Sequence, residues 1–113
     1  MISLTRLAAA IGCIGILSAP AMADNTGLGE ALHGLTKERG RTCFTDHFHS
    51  WTGDTKPNKK AAMDSAVNGW RGFTAAEYGT DWAHFNLAAN AKFNCTQGSG
   101  GISCQVEARP CRK

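Results

Sequence analysis

Apolar and polar residues alternate with a period of two along the C-terminal third of the chain, and this predicts a β-hairpin. The alternation runs from residue 83 to residue 95 and returns over residues 102–108, with the glycine-rich stretch TQGSGG between them. A turn centred on residues 99–100 makes the two apolar faces coincide, as a hairpin register requires. The register then contains three pairs: Cys95 with Cys104, Phe93 with Val106, and Ala91 with Ala108.

A second period, close to that of an α-helix, runs through residues 56–79 and predicts the main helix. Pro57 suits its first turn, and Gly79 suits its end. The positions that follow this helical spacing are Ala62, Met63, Ala66, Val67, Trp70, Phe73, and either Glu77 or Tyr78. We expect the aromatic side chains of this stripe to pack in the core rather than line a ligand site.

The stretch CFTDHFHSW, residues 43–51, is rich in aromatic and β-compatible residues and predicts the first strand. Alternation assigns Phe44 and Phe48 to one face. The other face carries Cys43, Thr45, His47, His49 and Trp51. Residues 24–40 show only a weak helical pattern interrupted by glycines, which disfavour helices, so we expect a loosely ordered leader or a short helix there.

These elements, in the order strand, helix, strand, strand, predict an α+β fold. A small antiparallel sheet carries the one main helix across a face. In this scheme residues 41–113 form a single compact domain.

The N-terminus has the three parts of a cleaved signal peptide. Arg6 precedes an apolar run over residues 7–17, and Ala21-Met22-Ala23 matches a small-x-small cleavage site. The run is shorter than the roughly 20 residues that a membrane span needs. We therefore predict that residues 1–23 are removed, and that the mature chain is periplasmic or secreted and does not span a membrane. Lipoprotein processing at Cys13 is the alternative.

The cysteines predict a fold held by disulfides. Removal of 23 of the 113 residues leaves 90, a size at which a domain is marginally stable without crosslinks. Four of the five cysteines remain, and an even number in a small exported domain indicates two disulfides. Among the three pairings, the hairpin register favours Cys95 with Cys104 and Cys43 with Cys111. A four-cysteine zinc site is the alternative, but the spacing contains no C-x₂₋₄-C knuckle.

Charge carries little information about partners. Without Arg6 the chain has 11 basic and 9 acidic side chains, a net charge of +2. The basic residues are scattered and no aromatic RNA-binding motif accompanies them, so we predict no binding to nucleic acid.

The stretch HFHSW, residues 47–51, is the one candidate for ligand chemistry. Two histidines at alternate positions of a strand leave the same face about 7 Å apart, close enough to share Cu²⁺ or Zn²⁺. Such a site needs a further donor, for which His84 on another predicted strand is the candidate. The competing interpretation, which the sequence favours, is a solvated strand face ending in Trp51, with no cofactor bound.

The sequence lacks the usual catalytic patterns. It contains neither G-x-S-x-G nor H-E-x-x-H. Asp64 and Glu77 would lie about 20 Å apart along the predicted helix, whereas glycosidase carboxylates lie within about 10 Å. We therefore predict a non-enzymatic protein without catalytic residues.

Several short motifs resemble those of small exported proteins of proteobacteria. They are H-x-H at 47–49, W-x-x-F at 70–73, E-Y-G-x-x-W at 77–82 and A-R-P-C-R at 108–112. The resemblance implies a bacterial periplasm and no particular activity.

Taken together, the sequence predicts a disulfide-stabilised, exported binding domain that contacts a protein or glycan partner through its sheet face. One alternative is a periplasmic copper or zinc binder that uses His47 and His49. Another is a small inhibitor of an exported hydrolase, which would present a fixed, protruding loop at residues 52–56 or 96–101.

Overall fold

The computed structural model describes residues 32–113. The predicted signal peptide and the first part of the predicted leader lie outside the described residues. The described elements are β1 (Leu35–Glu38), β2 (Arg41–Phe44), β3 (His49–Thr52), α1 (Lys59–Tyr78), two short 3₁₀ helices (Thr80–Trp82 and Phe85–Leu87), β4 (Ala89–Gly98), β5 (Gly101–Arg109) and β6 (Cys111–Arg112).

Two small antiparallel sheets and one main helix make the fold α+β, which confirms the predicted class. One sheet has the strand order β1-β2-β6, and the other has the order β3-β5-β4. The helix α1 packs across the second sheet, where its small residues allow a close approach to the central strand β5. Their shared core consists of Ala62, Ala66, Trp70, Cys104, Val106 and Ala108.

Strands β4 and β5 form the predicted hairpin around residues 99–100. Two of the predicted pairs are confirmed: Cys95 with Cys104, and Phe93 with Val106. The predicted pairing of Ala91 with Ala108 is wrong, because a bulge shifts the register between Ala89 and Lys92. Asn90, inside that bulge, has a φ of 55°. Residues 83–88 are 3₁₀ and coil rather than strand, so β4 begins later than predicted.

Both favoured disulfides are confirmed. Cys95 is bonded to Cys104 across the hairpin, and Cys43 is bonded to Cys111 between β2 and β6. The second bridge joins residues 68 positions apart. Closing a loop of that length removes unfolded-state entropy worth about 4 kcal/mol in the chain-entropy account.

The helix begins at a polar cap that the sequence analysis missed. The side chain of Asn58 accepts a hydrogen bond from the backbone N–H of Ala61 at 2.9 Å, and Pro57 precedes this cap rather than lying in the first turn. The predicted end is confirmed. Gly79 follows the last helical residue with a φ of 99°, a conformation that glycine adopts more readily than other residues.

The predicted aromatic stripe of α1 is only partly buried. Trp70 is fully buried, and its indole N–H donates to the carbonyl of His49 at 3.0 Å. Tyr78 is also buried, but Phe73 is 38% exposed. The core prediction is therefore confirmed for Trp70 and Tyr78 and wrong for Phe73.

The predicted strand over residues 43–51 is two strands in different sheets. β2 ends at Phe44, which packs against Tyr78 and Trp82, whereas β3 begins at His49, which pairs with β5. The chain bends over residues 45–48 because its two ends belong to different sheets. The predicted alternation of faces fails there, since Phe48 is 42% exposed and His49 only 2%.

A strand forms the last part of the segment that was predicted to be a loosely ordered leader or a short helix. β1 pairs with β2 through a turn at Arg39 and Gly40, whose φ values are 52° and 77°. Two consecutive residues with positive φ are typical of a two-residue hairpin turn.

The side chain of Arg109 links β5 to the other sheet. Its guanidinium donates to both carboxylate oxygens of Glu38, at 2.7 and 2.6 Å, and to the carbonyl of Phe44 at 2.8 Å. It also donates to the side chain of Asn90 at 2.6 Å. Arg109 is buried, so this network satisfies a charge that would otherwise be costly inside the fold.

Candidate metal site

The two histidines of HFHSW lie where the chain passes from one sheet to the other. His47 is in the bent connection after β2, and His49 is the first residue of β3. Their ring centroids are 4.9 Å apart. His49 is buried and His47 is half-buried, so the prediction of a solvated strand face is wrong for this pair.

The imidazole of His49 is fixed by the helix. Its Nδ1 is hydrogen-bonded to the hydroxyl of Thr74 at 2.9 Å, and its ring stacks on that of Tyr78 at 4.9 Å. Burial lowers the pKa of His49 to about 4, more than the nearby Glu77 carboxylate raises it. His49 is therefore neutral at pH 7.

Glu77 brings a carboxylate to the other ring nitrogen of His49. Its Oε2 lies 3.2 Å from His49 Nε2, which is ion-pair distance, but the angles do not satisfy a hydrogen bond. His49 Nε2 is consequently a buried nitrogen for which residues 32–113 supply no hydrogen-bond partner. In the tautomer that donates Nδ1–H to Thr74, Nε2 presents a lone pair toward the carboxylate. A cation between these two atoms would relieve that repulsion.

His47, His49 and Glu77 form one potential ligand set. Their ligand atoms all lie within 4.8 Å of one another. Donors bound to one tetrahedral Zn²⁺ at about 2.1 Å are about 3.4 Å apart, so the most widely separated pair would have to close by up to about 1.4 Å to bind one ion. Two imidazoles and one carboxylate are ligands that Zn²⁺ and Cu²⁺ accept.

The hydrogen bond to Thr74 has the form that metal-binding histidines usually show. The nitrogen of such a histidine that does not bind the metal is held by a neighbouring polar group, which fixes the tautomer and the ring orientation. Thr74 is itself fully buried, so its hydroxyl is held in place by packing.

Tyr78 joins two further ring nitrogens to this cluster. Its hydroxyl is 2.8 Å from His47 Nε2 and 3.1 Å from His33 Nε2. Burial, followed by the effect of Glu77, raises the pKa of Tyr78, so the side chain is a neutral phenol at pH 7. Burial and the neighbouring His33 lower the pKa of His47. Three of the four histidines in the chain thus surround one tyrosine.

The structure does not bring His84 into this cluster, although the sequence analysis chose it as the further ligand. His84 precedes the second 3₁₀ helix and is exposed. It lines a separate depression of about 410 Å³. The other residues of that depression are Asp81, Asn86, Leu87, Arg112 and Lys113.

Glu77 and His33 are the members that sequence reasoning missed. Thr74, Glu77 and Tyr78 follow i, i+3, i+4 spacing, so a polar patch on one helical face was readable from the sequence. Which strand that patch meets was not readable. Placing it beside His47 and His49 requires the packing of α1 on β3.

The candidate site thus combines two histidines and one carboxylate between α1, the start of β3 and the connection before it. No protein-family model, curated protein or solved structure matches the chain. No helix within residues 32–113 is long and apolar enough to cross a membrane. Function is therefore inferred from the geometry of the site.

Proposed function

We propose that this chain is an exported domain that binds a transition-metal ion through His47, His49 and Glu77. One observation carries the proposal: three ligand atoms converge within 4.8 Å, and one of them, His49 Nε2, is buried without a hydrogen bond from the part of the chain that the structure describes. Buried polar atoms without hydrogen-bond partners are rare in folded proteins, and one explanation for such an atom is that it binds an ion.

Electrostatics support the same proposal. A metal ligand must present a lone pair, and burial keeps His49 neutral near pH 7. Glu77 contributes a carboxylate on the solvent side of the cluster, where its side chain is 41% exposed. Two disulfides are consistent with an oxidising compartment, where a cysteine-free site avoids thiol oxidation.

The test is a calorimetric titration of the disulfide-oxidised protein with Cu²⁺ and, separately, with Zn²⁺. We expect one-to-one binding that weakens at least about 10-fold in His47→Ala and in Glu77→Gln, because each variant removes one donor. Both positions are incompletely buried, so these variants should keep the fold. His84→Ala is the matched control, because His84 is exposed and outside the cluster.

Equal losses in His84→Ala and His47→Ala would indicate nonspecific imidazole binding and would contradict the proposal. Failure of the parent protein to bind either ion more tightly than the His47→Ala variant would also contradict it.

Mass spectrometry of the exported protein would check in the same preparation whether the chain begins at Asp24.

A second candidate function is the binding of a protein or glycan partner. The exposed aromatic surface of Trp51 and Phe73 favours it, since these side chains are 41% and 38% exposed and their ring centroids are 5.8 Å apart. Trp51 also lines a groove of about 620 Å³ that contains polar groups of Asp54, Asp64 and Asn68. A glycan array with the parent and Trp51→Ala would test this. Binding that is lost in the variant would support it, and an unchanged profile would oppose it.

The alternative of a hydrolase inhibitor requires a protruding loop, and neither candidate segment supports it. Residues 53–56 are bonded along β5, through Gly53 to Cys104 and through Lys56 to Ile102, rather than protruding. The other candidate loop is the tight turn of the β4–β5 hairpin.

A further inference from the structure

The hydroxyl of Tyr78 is in direct contact with a donor of the candidate metal site. It is hydrogen-bonded to His47 Nε2 at 2.8 Å and to His33 Nε2 at 3.1 Å. Of these two partners, His47 is a member of the converging ligand set, and Glu77, which precedes Tyr78 in α1, is another member.

The spacing of these atoms matches the edges of a coordination shell. Ligands about 2.0 to 2.1 Å from one ion are separated by about 2.8 Å in octahedral and about 3.4 Å in tetrahedral geometry. Two pairs of the proposed donors fall in this range: Tyr78 with His47 at 2.8 Å, and His49 with Glu77 at 3.2 Å. The oxygen of Tyr78 is therefore at the distance from His47 Nε2 that a second ligand of the same ion would have.

We propose that Tyr78 is itself a ligand, as a phenolate, and that the site takes an oxidised transition-metal ion that accepts phenolate, Fe³⁺ or Cu²⁺. This inference rests on the proposed function and deepens it. On binding, the phenol O–H bond breaks and an oxygen–metal bond forms. The proton passes to His33 Nε2, 3.1 Å away, and from its half-buried ring to solvent, while His47 binds the ion in the tautomer that carries its proton on Nδ1 and leaves Nε2 free.

The charge of the donor set favours such ions. Phenolate and carboxylate each contribute one negative charge, and two imidazoles are neutral, so the set offsets two positive charges of the ion. Oxygen anions suit small, highly charged cations, and Cu²⁺ stands highest among divalent ions for mixed nitrogen and oxygen donors. An oxidising compartment keeps iron ferric and copper cupric.

The test uses the colour of metal-bound phenolate. Fe³⁺, supplied as ferric nitrilotriacetate, and Cu²⁺ are each titrated into the disulfide-oxidised protein while the visible absorption is recorded. We expect a charge-transfer band that saturates at one ion per chain. Tyr78 is the one tyrosine among the 113 residues, so no other side chain can supply a tyrosinate band. Zn²⁺ is the control, because its filled d shell gives no such band.

Tyr78→Phe should abolish the band and weaken binding at least about 10-fold while His84→Ala keeps both. Saturable binding without a visible band, or equal affinity in Tyr78→Phe and parent, would overturn the role of Tyr78 and leave the three-residue site standing. Absence of binding in the parent would overturn both. If Tyr78→Phe does not fold, resonance Raman spectra of the loaded parent decide, since phenolate vibrations are enhanced only when the oxygen is bound.

Discussion

Burial of His49 should make the metal-free protein lose stability as the pH falls. The ordinary pKa of 6.5 is lowered to about 4 in the folded protein, so the unfolded chain binds a proton more readily. The contribution of neutral His49 to the free energy of unfolding is therefore complete above pH 6.5, and it decreases as the pH falls from 6.5 to about 4. At about 1.4 kcal/mol per pKa unit, the loss is about 2 kcal/mol between pH 7 and 5 and approaches about 3 kcal/mol at pH 4.

The groups that face His49 act in both directions. Glu77 favours the charged imidazole, whereas His47 and His33 disfavour it, and burial exceeds these effects. Since the ring is 2% exposed, little solvent screening reduces the penalty. The sign of the pH dependence therefore follows from desolvation.

The assay is urea unfolding followed by tryptophan fluorescence at pH 7, 6, 5 and 4, with a chelator present so that no metal holds the site. The His49→Gln variant keeps a hydrogen-bonding side chain but cannot titrate. We expect the free energy of unfolding of the parent to fall by about 2 to 3 kcal/mol more than that of the variant over this range. Parallel pH profiles for the two proteins would refute the reasoning, and His84→Gln should follow the parent.

Three further predictions concern the scaffold. Replacing Cys43 and Cys111 by serine should lower the free energy of unfolding by about 4 kcal/mol in urea titrations, and a loss below about 1 kcal/mol would contradict the long-loop argument. Glu38→Gln should cost about 1 to 3 kcal/mol at pH 7, because Arg109 holds the pKa of this carboxyl below its ordinary value. The stabilisation by the Glu38 carboxylate is lost as the pH falls through its lowered pKa, so the free energies of unfolding of the parent and the variant should converge in acid. A difference between the two that does not change with pH would contradict this role of the Glu38–Arg109 pair. Asn58→Ala should cost about 1 kcal/mol and speed amide exchange in the first turn of α1, whereas unchanged exchange would exclude the cap.

The elements that the sequence predicted correctly are those set by local pattern. The hairpin follows from alternation on both sides of a short turn, and its register places Cys95 opposite Cys104. The helix follows from its apolar spacing and from Gly79. In each case neighbouring residues determine the conformation, so no knowledge of the rest of the fold is needed.

The errors arise where tertiary contacts override that pattern. Residues 43–51 alternate well enough for one strand, yet Phe44 and His49 belong to different sheets. At residues 83–88 a period of two is present without a neighbouring strand to pair with, and short 3₁₀ helices form instead. The candidate site divides in the same way. His47 and His49 were found from their spacing, whereas Glu77 becomes a neighbour only through the packing of α1 on β3.

The position of His47 makes the site dependent on how the two sheets are joined. This residue lies on the connection between β2 and β3, so its distance from His49 is set by the relative placement of the sheets. The hydrogen bonds of Arg109 to Glu38 and to the carbonyl of Phe44 connect the two sheets directly. The disulfide between Cys43 and Cys111 adds to this by holding β2 to β6, which follows β5 after one residue. Because Cys43 and Phe44 come shortly before His47, both features restrain the chain next to a proposed ligand. If the cluster binds an ion as proposed, such restraints would preorganise its donors and reduce the ordering cost of binding.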